Sequence, residues 1–119
     1  MMSSNRKIGQ YGEDLACDFL KKNGYTILER NVRFSKFCEI DIIAKFKNEL
    51  VFVEVKTRRN IQCGSPFEAI TYTKYNHLKR GVFMFLSNYK EKYSNYRIDV
   101  IGIVIEPKIE IEHLKNISI

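Results

Sequence analysis

Two short runs carry most of the chemistry this chain can offer: Glu39-Ile40-Asp41 and, after a polar break, Val51-Phe52-Val53-Glu54-Val55-Lys56. Both lie in stretches rich in Ile, Val and Phe, short enough for strands. The intervening Phe46-Lys47-Asn48-Glu49 is polar enough to turn. A tight hairpin centred on Lys47-Asn48 sets Asp41 opposite Glu54 and Glu39 opposite Lys56. Side chains alternate along a strand, so all four then share one face. Facing residues have Cβ atoms about 4.5–5.5 Å apart, and two carboxylates at that spacing repel unless a cation lies between them. A divalent ion such as Mg²⁺ or Mn²⁺ suits the position. Mg²⁺ takes oxygen ligands, commonly one or two carboxylates, and fills its shell with water and phosphate. Such an ion lowers the pKa of a bound water and offsets charge on a phosphodiester. Lys56, on the same face as Glu54, is placed to steer the attacking water or neutralise developing phosphate charge. The competing reading is an ordinary cross-strand ion-pair cluster on a solvated sheet. Glu-x-Lys alone favours that reading. Asp41 in register, Glu39 beside it and an apolar strand carrying both Glu54 and Lys56 favour the metal site.

The elements that must hold these residues follow from periodicity. Ile8, Tyr11, Gly12, Leu15, Ala16, Phe19 and Leu20 recur at helical spacing, and Asn23-Gly24 is a stop signal. Glu13 sits beside this apolar stripe and can face the rim of whatever the helix packs against. Tyr25 to Arg33 reads as extended, then Glu39–Lys45 and Leu50–Lys56 as strands. The polar, basic Thr57–Gly64 is expected to be a loop. Ser65-Pro66-Phe67-Glu68 has the form of a capping box, so a second helix starts there or at Thr71, with Leu78, Val82, Phe85, Leu86 and Tyr89 on its buried face. Arg97–Ile105 is a further strand, and Ile109, Ile111 and His113 suggest a short edge strand. The order predicts an α/β fold with a mixed central sheet flanked by helices, as a single domain over residues 1–119.

Composition narrows the partners. The 119 residues are 45% hydrophobic and 29% charged, ordinary globular usage, and the net charge of +6 favours anionic partners such as nucleic acid. Cys17, Cys38 and Cys63 match no zinc spacing and read as reduced thiols, giving an expected cytoplasmic location. Met1 to Lys7 has no apolar leader segment, and the longest apolar run, Val100 to Ile105, is too short for a bilayer, so no membrane partner is expected.

Glu39-Ile40-Asp41 followed by Val51-Phe52-Val53-Glu54-Val55-Lys56 resembles the PD-(D/E)xK nuclease motif. More specifically, the chain resembles the UPF0102 family, also called the YraN family. The likeness spans Gly12-Glu13, Gly24-Tyr25, Asn31-x-Arg33, the two runs above, Arg58, Gly64-x-Pro66, Glu68-Ala69, Lys74 and Arg97-x-Asp99. It implies a restriction-endonuclease-like fold related to Holliday-junction resolvases. It implies metal ligation by Asp41 and Glu54, with the main-chain carbonyl of Val55 as a third ligand, and Lys56 as the catalytic lysine. Glu13 is similar to the helical glutamate that completes such sites. One departure is Cys38, where the family usually has glycine before Glu39; a positive φ there would strain cysteine.

Around this core, Glu13 and Glu39 are expected to add outer or supplementary ligation. Arg58 and Arg59 are placed to clamp phosphates beside the metal, Lys74 to reach back toward the substrate, and Arg33 with Lys36 to extend a basic surface. Tyr93 and Tyr96 are candidates to stack on unpaired bases, against a default of core packing. The expectation is a divalent-metal-dependent endonuclease acting on DNA, with branched or junction structures as favoured substrates. The alternative is a nucleic-acid-binding module of the same fold that does not cut. A resolvase-like role would need two sites and hence a homodimer.

Overall fold

The computed structural model of the chain describes residues 4–89 and 95–118. The order is α1 (Asn5–Lys22), β1 (Thr26–Arg33), β2 (Glu39–Phe46), β3 (Glu49–Asn60), two one-turn 3-10 segments (Ile61–Cys63 and Pro66–Ala69), α2 (Tyr72–Asn88), β4 (Asn95–Glu106) and β5 (Glu110–Leu114). The strands form one sheet in the order β1-β2-β3-β4-β5. β3 and β4 run parallel and the other neighbours antiparallel. A parallel pair needs a crossover connection, and α2 supplies it. This is the expected α/β architecture, a mixed sheet flanked by helices, and it is consistent with a restriction-endonuclease-like fold.

Each helix forms where a cap and an apolar stripe coincide. Ser4 Oγ accepts from the Lys7 N–H at 3.2 Å, and Lys21 and Lys22 complement the negative end of α1. Asn23 closes the helix and Gly24 follows at φ 92. Thr71 Oγ1 caps α2 by accepting from the Lys74 N–H at 3.1 Å. The Ser65/Glu68 capping box is formed, but it governs only Pro66–Ala69, because Ile70 is extended at φ −88, ψ 95. Of the two helix starts left open by the sequence, the later one is used.

The sheet has two apolar faces. Ala16 and Leu20 of α1 pack on Ile42, Val51, Val53, Val55, Ile101 and Ile103. Tyr75, Leu78, Val82 and Phe85 of α2 pack on Ile43, Leu50, Phe52 and Ile98. β3 is therefore covered on both sides, which explains its near-continuous apolar run. Each such side chain, fully buried, contributes about 1.5–3 kcal/mol. The strand also runs on through Thr57–Asn60, where a loop was expected. Its partner is β4, which pairs Thr57 with Ile103, Arg58 with Val104 and Asn60 with Glu106. Among the described residues, no helix is long and apolar enough to cross a membrane.

A buried ionic brace ties the sheet together at the far end of β3. Asp99 is fully buried. It accepts from Arg97 Nε at 3.0 Å and from the Asn116 N–H at 2.8 Å, and meets His113 Nε2 at 2.7 Å. Arg97 also donates to Glu49 and to the Tyr25 hydroxyl. The strand-face pairing of Arg97 with Asp99 is thus structural, and β5 is the sheet's edge strand with His113 turned inward.

Burial pushes the Asp99 carboxyl up, but His113, Arg97 and the Asn116 N–H outweigh it and hold it below the ordinary aspartate range. The unfolded chain therefore takes up this proton more readily. The contribution to stability is full above about pH 4 and is lost as the pH falls through the depressed folded value. Asp99→Asn leaves Arg97 partly uncompensated and is expected to cost about 3 kcal/mol or more at neutral pH. Urea unfolding should show that cost shrinking below about pH 4. An equal cost at both pH values would contradict this account.

Candidate active site

The carboxylates meet where a ladder ends. β2 and β3 pair from Phe46–Glu49 to Ile42–Val53, the register expected for a turn at Lys47-Asn48. Lys47 adopts φ 55 in that turn. Beyond Ile42 the strand bonds stop, and Asp41 Oδ2 instead accepts from the Val55 N–H at 2.8 Å. A strand residue's N–H and C=O point to the same side, so the Val55 carbonyl also faces this gap.

The gap follows from a change of face. Ile42 packs on the α1 side, whereas Ile40, two residues away, packs on the α2 side. Regular alternation would keep them together. The neighbouring strand does the same: Arg30 reaches Asp14 on α1 at 2.8 Å, while Val32 packs on the α2 side. Between them Asn31 holds φ 54, the left-handed conformation that asparagine tolerates. Asp41 lies at the corresponding point of β2, between the pairs Arg30–Ile42 and Val32–Ile40. Glu39 consequently does not face Lys56. It pairs with Arg33, whose Nη2 bonds its carboxylate at 2.8 Å. That corrects two expectations: Glu39 and Lys56 are not cross-strand partners, and Arg33 is occupied with Glu39 rather than lining the cleft. Cys38 is buried and is not among the positive-φ residues, so it enters β2 without the strain a left-handed turn would impose.

A cleft of about 760 Å³ opens over the gap, lined by Glu13, Glu39, Asp41, Glu54, Val55, Lys56, Arg58, Arg59 and Lys74. The sequence-derived set is thereby brought together, Arg33 excepted. Arg58 and Arg59 enter it from the extended end of β3 rather than from a loop. Gly12 explains how Glu13 arrives. A Cβ on Gly12 would lie 1.8 Å from Thr57 Oγ1, so only glycine lets α1 sit this close to β3. Glu13 is then steadied by Asn31 and by Arg30 Nη2 at 3.8 Å. Asn31 enters the sequence reading only through the family likeness, and nothing in the sequence pattern gives Arg30 or Thr57 a role. A glycine inside a helix, at a cost of about 1 kcal/mol relative to alanine, was the one local signal of that close approach.

Burial governs the electrostatics of the site. Glu54 is 5% exposed. Burial, then the Asp41 carboxylate and a hydrogen bond between the two carboxyls, push Glu54 up to about 9 against the pull of Lys56 and Lys74. Without a cation, Glu54 keeps its proton at neutral pH and donates it to Asp41. Glu13 is raised by burial and by Asp41, with Asn31 and Arg30 opposing. Lys56 Nζ lies 3.9 Å from Glu54 Oε1. Burial and a hydrogen bond with Lys74 lower the Lys56 ammonium. Lys74 moves upward: burial opposes this, but Lys56 and the carboxylates of Glu54, Asp41 and Glu39 prevail. Of the two amines, Lys74 keeps its proton and Lys56 releases it more readily.

Among the described residues, no three Asp, Glu, His or Cys side chains gather into a metal cage. Asp41 and Glu54 instead form a two-carboxylate set whose mutual repulsion a cation would relieve, with the Val55 carbonyl beside them. That donor set fits Mg²⁺ or Mn²⁺, hard ions that accept few protein ligands and retain water.

Two stability measurements test this geometry. Gly12→Ala should cost about 1–3 kcal/mol through overpacking. Gly9→Ala, with nothing within 4 Å of the added carbon, should gain up to about 1 kcal/mol. Equal effects would remove the close approach from the argument. Second, between about pH 5 and 9 the unfolded chain ionises Glu54 while the folded chain holds its proton, so cation-free stability falls as pH rises. Glu54→Gln should flatten that fall and raise the thermal midpoint at about pH 8. An unchanged slope would contradict the assignment.

A profile of the Uncharacterised protein family UPF0102 matches residues 12–103, a span that contains every cleft residue discussed from Glu13 to Lys74. A UPF0102 protein of Caldicellulosiruptor saccharolyticus is 50% identical over 108 residues, covering 91% of each chain. One from Dictyoglomus turgidum is 40% identical over 116 residues, covering 95% of this chain and 98% of the relative. A third, from Rhodococcus jostii, is 40% identical over 117 residues, covering 97% and 98%. With the profile spanning most of the chain and the relatives matching it nearly end to end, the chain belongs to the UPF0102 family.

Proposed function

We propose that this protein is a divalent-metal-dependent nuclease that hydrolyses phosphodiester bonds in DNA, with branched or junction structures as its substrates. The observation that carries the reading is the convergence of Asp41, Glu54, Lys56 and Lys74 at the point where the β2–β3 ladder opens. A glutamate lifted to about 9 by burial and then by a neighbouring aspartate is a pattern that clusters at functional sites, and a cation between the two carboxylates would offset it.

A bound Mg²⁺ or Mn²⁺ would supply an activated water and offset phosphate charge. The chain's own groups do the rest. Asp41 and Glu54, with the Val55 carbonyl, would hold the ion. Lys56, its ammonium destabilised by burial, would accept a proton from the attacking water as the water oxygen bonds to phosphorus and the ester P–O bond breaks, the departing ester oxygen taking its proton from solvent water. Lys74, which stays charged, pairs with a non-bridging phosphate oxygen. Arg58 and Arg59 bind phosphates further along the strand, where planar guanidinium groups suit bidentate contact. The net charge of +6 favours approach of a polyanion, and Lys36, Arg58, Arg59 and Lys74 receive it at the cleft. Symmetric cutting of a four-way junction would take two copies of the chain.

The test is cleavage of labelled duplex, single-stranded, flap and four-way-junction DNA with Mg²⁺ or Mn²⁺. Asp41→Asn is preferable to alanine, because removing the acceptor would orphan the Val55 N–H at a cost of about 1–3 kcal/mol. Asp41→Asn should abolish cutting, and Lys56→Ala should slow it about 10²-fold or more. Added Mg²⁺ should raise the thermal midpoint of the wild type but not of Asp41→Asn. Salt-sensitive binding with no cutting would favour the non-catalytic module. Metal-independent cutting, or full activity in Asp41→Asn, would overturn the proposal.

A further inference from the structure

One side chain at the cleft is out of keeping with its polar surroundings. Phe37 lines the same cleft as Asp41 and Glu54 yet is 64% exposed. Its ring lies against the His77 imidazole, with centroids 5.5 Å apart and planes inclined by 31°. Lys36 Nζ stands 5.6 Å from its centroid. The short segment between β1 and β2 holds it there. The Phe34 N–H donates to the Cys38 carbonyl at 2.8 Å, and the Cys38 N–H to the Ser35 carbonyl at 3.3 Å. Cys38, the next residue, is buried and anchors the turn. A phenyl ring is thus displayed on a tied loop, outside both core clusters.

We infer that Phe37, with His77 and Lys36, forms a subsite for an unpaired nucleobase at the mouth of the cleft. This rests on the nucleic-acid reading of the site. An aromatic face flanked by a cation matches the flat π surface of a base and the phosphate that accompanies it. The cleft also contains Arg58, Arg59 and Lys74, so charge complementarity favours a polyanion over an apolar peptide. In a paired duplex both faces of each base are covered by their neighbours. Phe37 can therefore stack only on a base already freed from its stack, as at a flap, bulge or branch. The ring reads shape rather than sequence, since every base presents a π face. Because the loop is already tied, little order need be lost on stacking. Tyr96, a candidate for this role from sequence, is placed elsewhere: it packs edge-on to Phe52 at 6.1 Å and lines a different groove. Tyr93 lies outside the described residues.

The test is binding without cutting, in metal-free buffer, using a fully paired duplex, the same duplex with one unpaired 2-aminopurine, and that duplex with an abasic site in its place. Wild type should bind the unpaired-base DNA about tenfold more tightly than the abasic DNA and quench the 2-aminopurine. Phe37→Ala should remove that preference and the quenching while leaving the paired duplex bound as before; Phe37→Trp should retain both. Equal affinity of wild type for the unpaired-base and abasic DNAs would overturn the subsite, as would loss in Phe37→Ala on all three DNAs alike. In either case the nucleic-acid reading survives. Failure of wild type to bind any DNA would overturn both.

Discussion

The hydrogen bond from the Val55 N–H to the Asp41 carboxylate decides what this sheet can do. An antiparallel pair would ordinarily satisfy that N–H with a backbone carbonyl of the next strand. Here a side chain takes the carbonyl's place, so the strands part without leaving a buried donor unpaired. The parting makes the cleft, aims a carboxylate into it and holds that carboxylate against rotation. The left-handed Asn31 on β1 is the local device that allows the change of face, and its side chain meets Glu13 from the opposite direction. A small conformational irregularity in an asparagine thus sets the orientation of two acidic groups on different elements.

Charge is distributed with the same economy. At the start of β3, Glu49 enters a satisfied network with Arg97, Asp99, His113 and Tyr25. Glu54, in the middle of the strand and buried, joins a cluster where burial and then Asp41 outweigh the pull of two lysines. A single strand thus carries a closed ionic network at its start and a carboxyl pair of strongly shifted pKa at its middle. Carboxyl groups shifted this strongly by burial and a like-charged neighbour cluster at functional sites.

Local features were legible in the sequence and remote ones were not. The hairpin register could be read because its turn is two residues long and the apolar pattern flanks it closely. Asp41, Glu54 and Lys56 followed from that register, although Asp41 reaches Val55 rather than simply facing Glu54. Glu39 was misplaced because the change of face depends on the backbone of Asn31, which no periodicity reveals. Thr57–Asn60 looked like a loop because its polar residues say nothing of β4, a partner some forty residues away. The capping box at Ser65 was real, but the extended Ile70 that ends its turn has no signature. The pairing of Phe37 with His77 has no signature in the sequence, since their contact exists only once the β1–β2 loop and α2 are docked.

The crossover through α2 has a bearing on how the chain reaches this state. The β2–β3 hairpin closes over a two-residue turn, whereas β3 meets β4 only after a long loop is closed, and such non-local pairing is the slower step. The topology therefore favours an order in which the acidic pair is assembled first, on a hairpin still open to water that can screen it. The helix that seals β3 from solvent also carries Lys74 into the cluster. Desolvation and a second cation arrive on the same element, so the burial that α2 imposes on the carboxylates beside Lys56 comes together with the charge of Lys74.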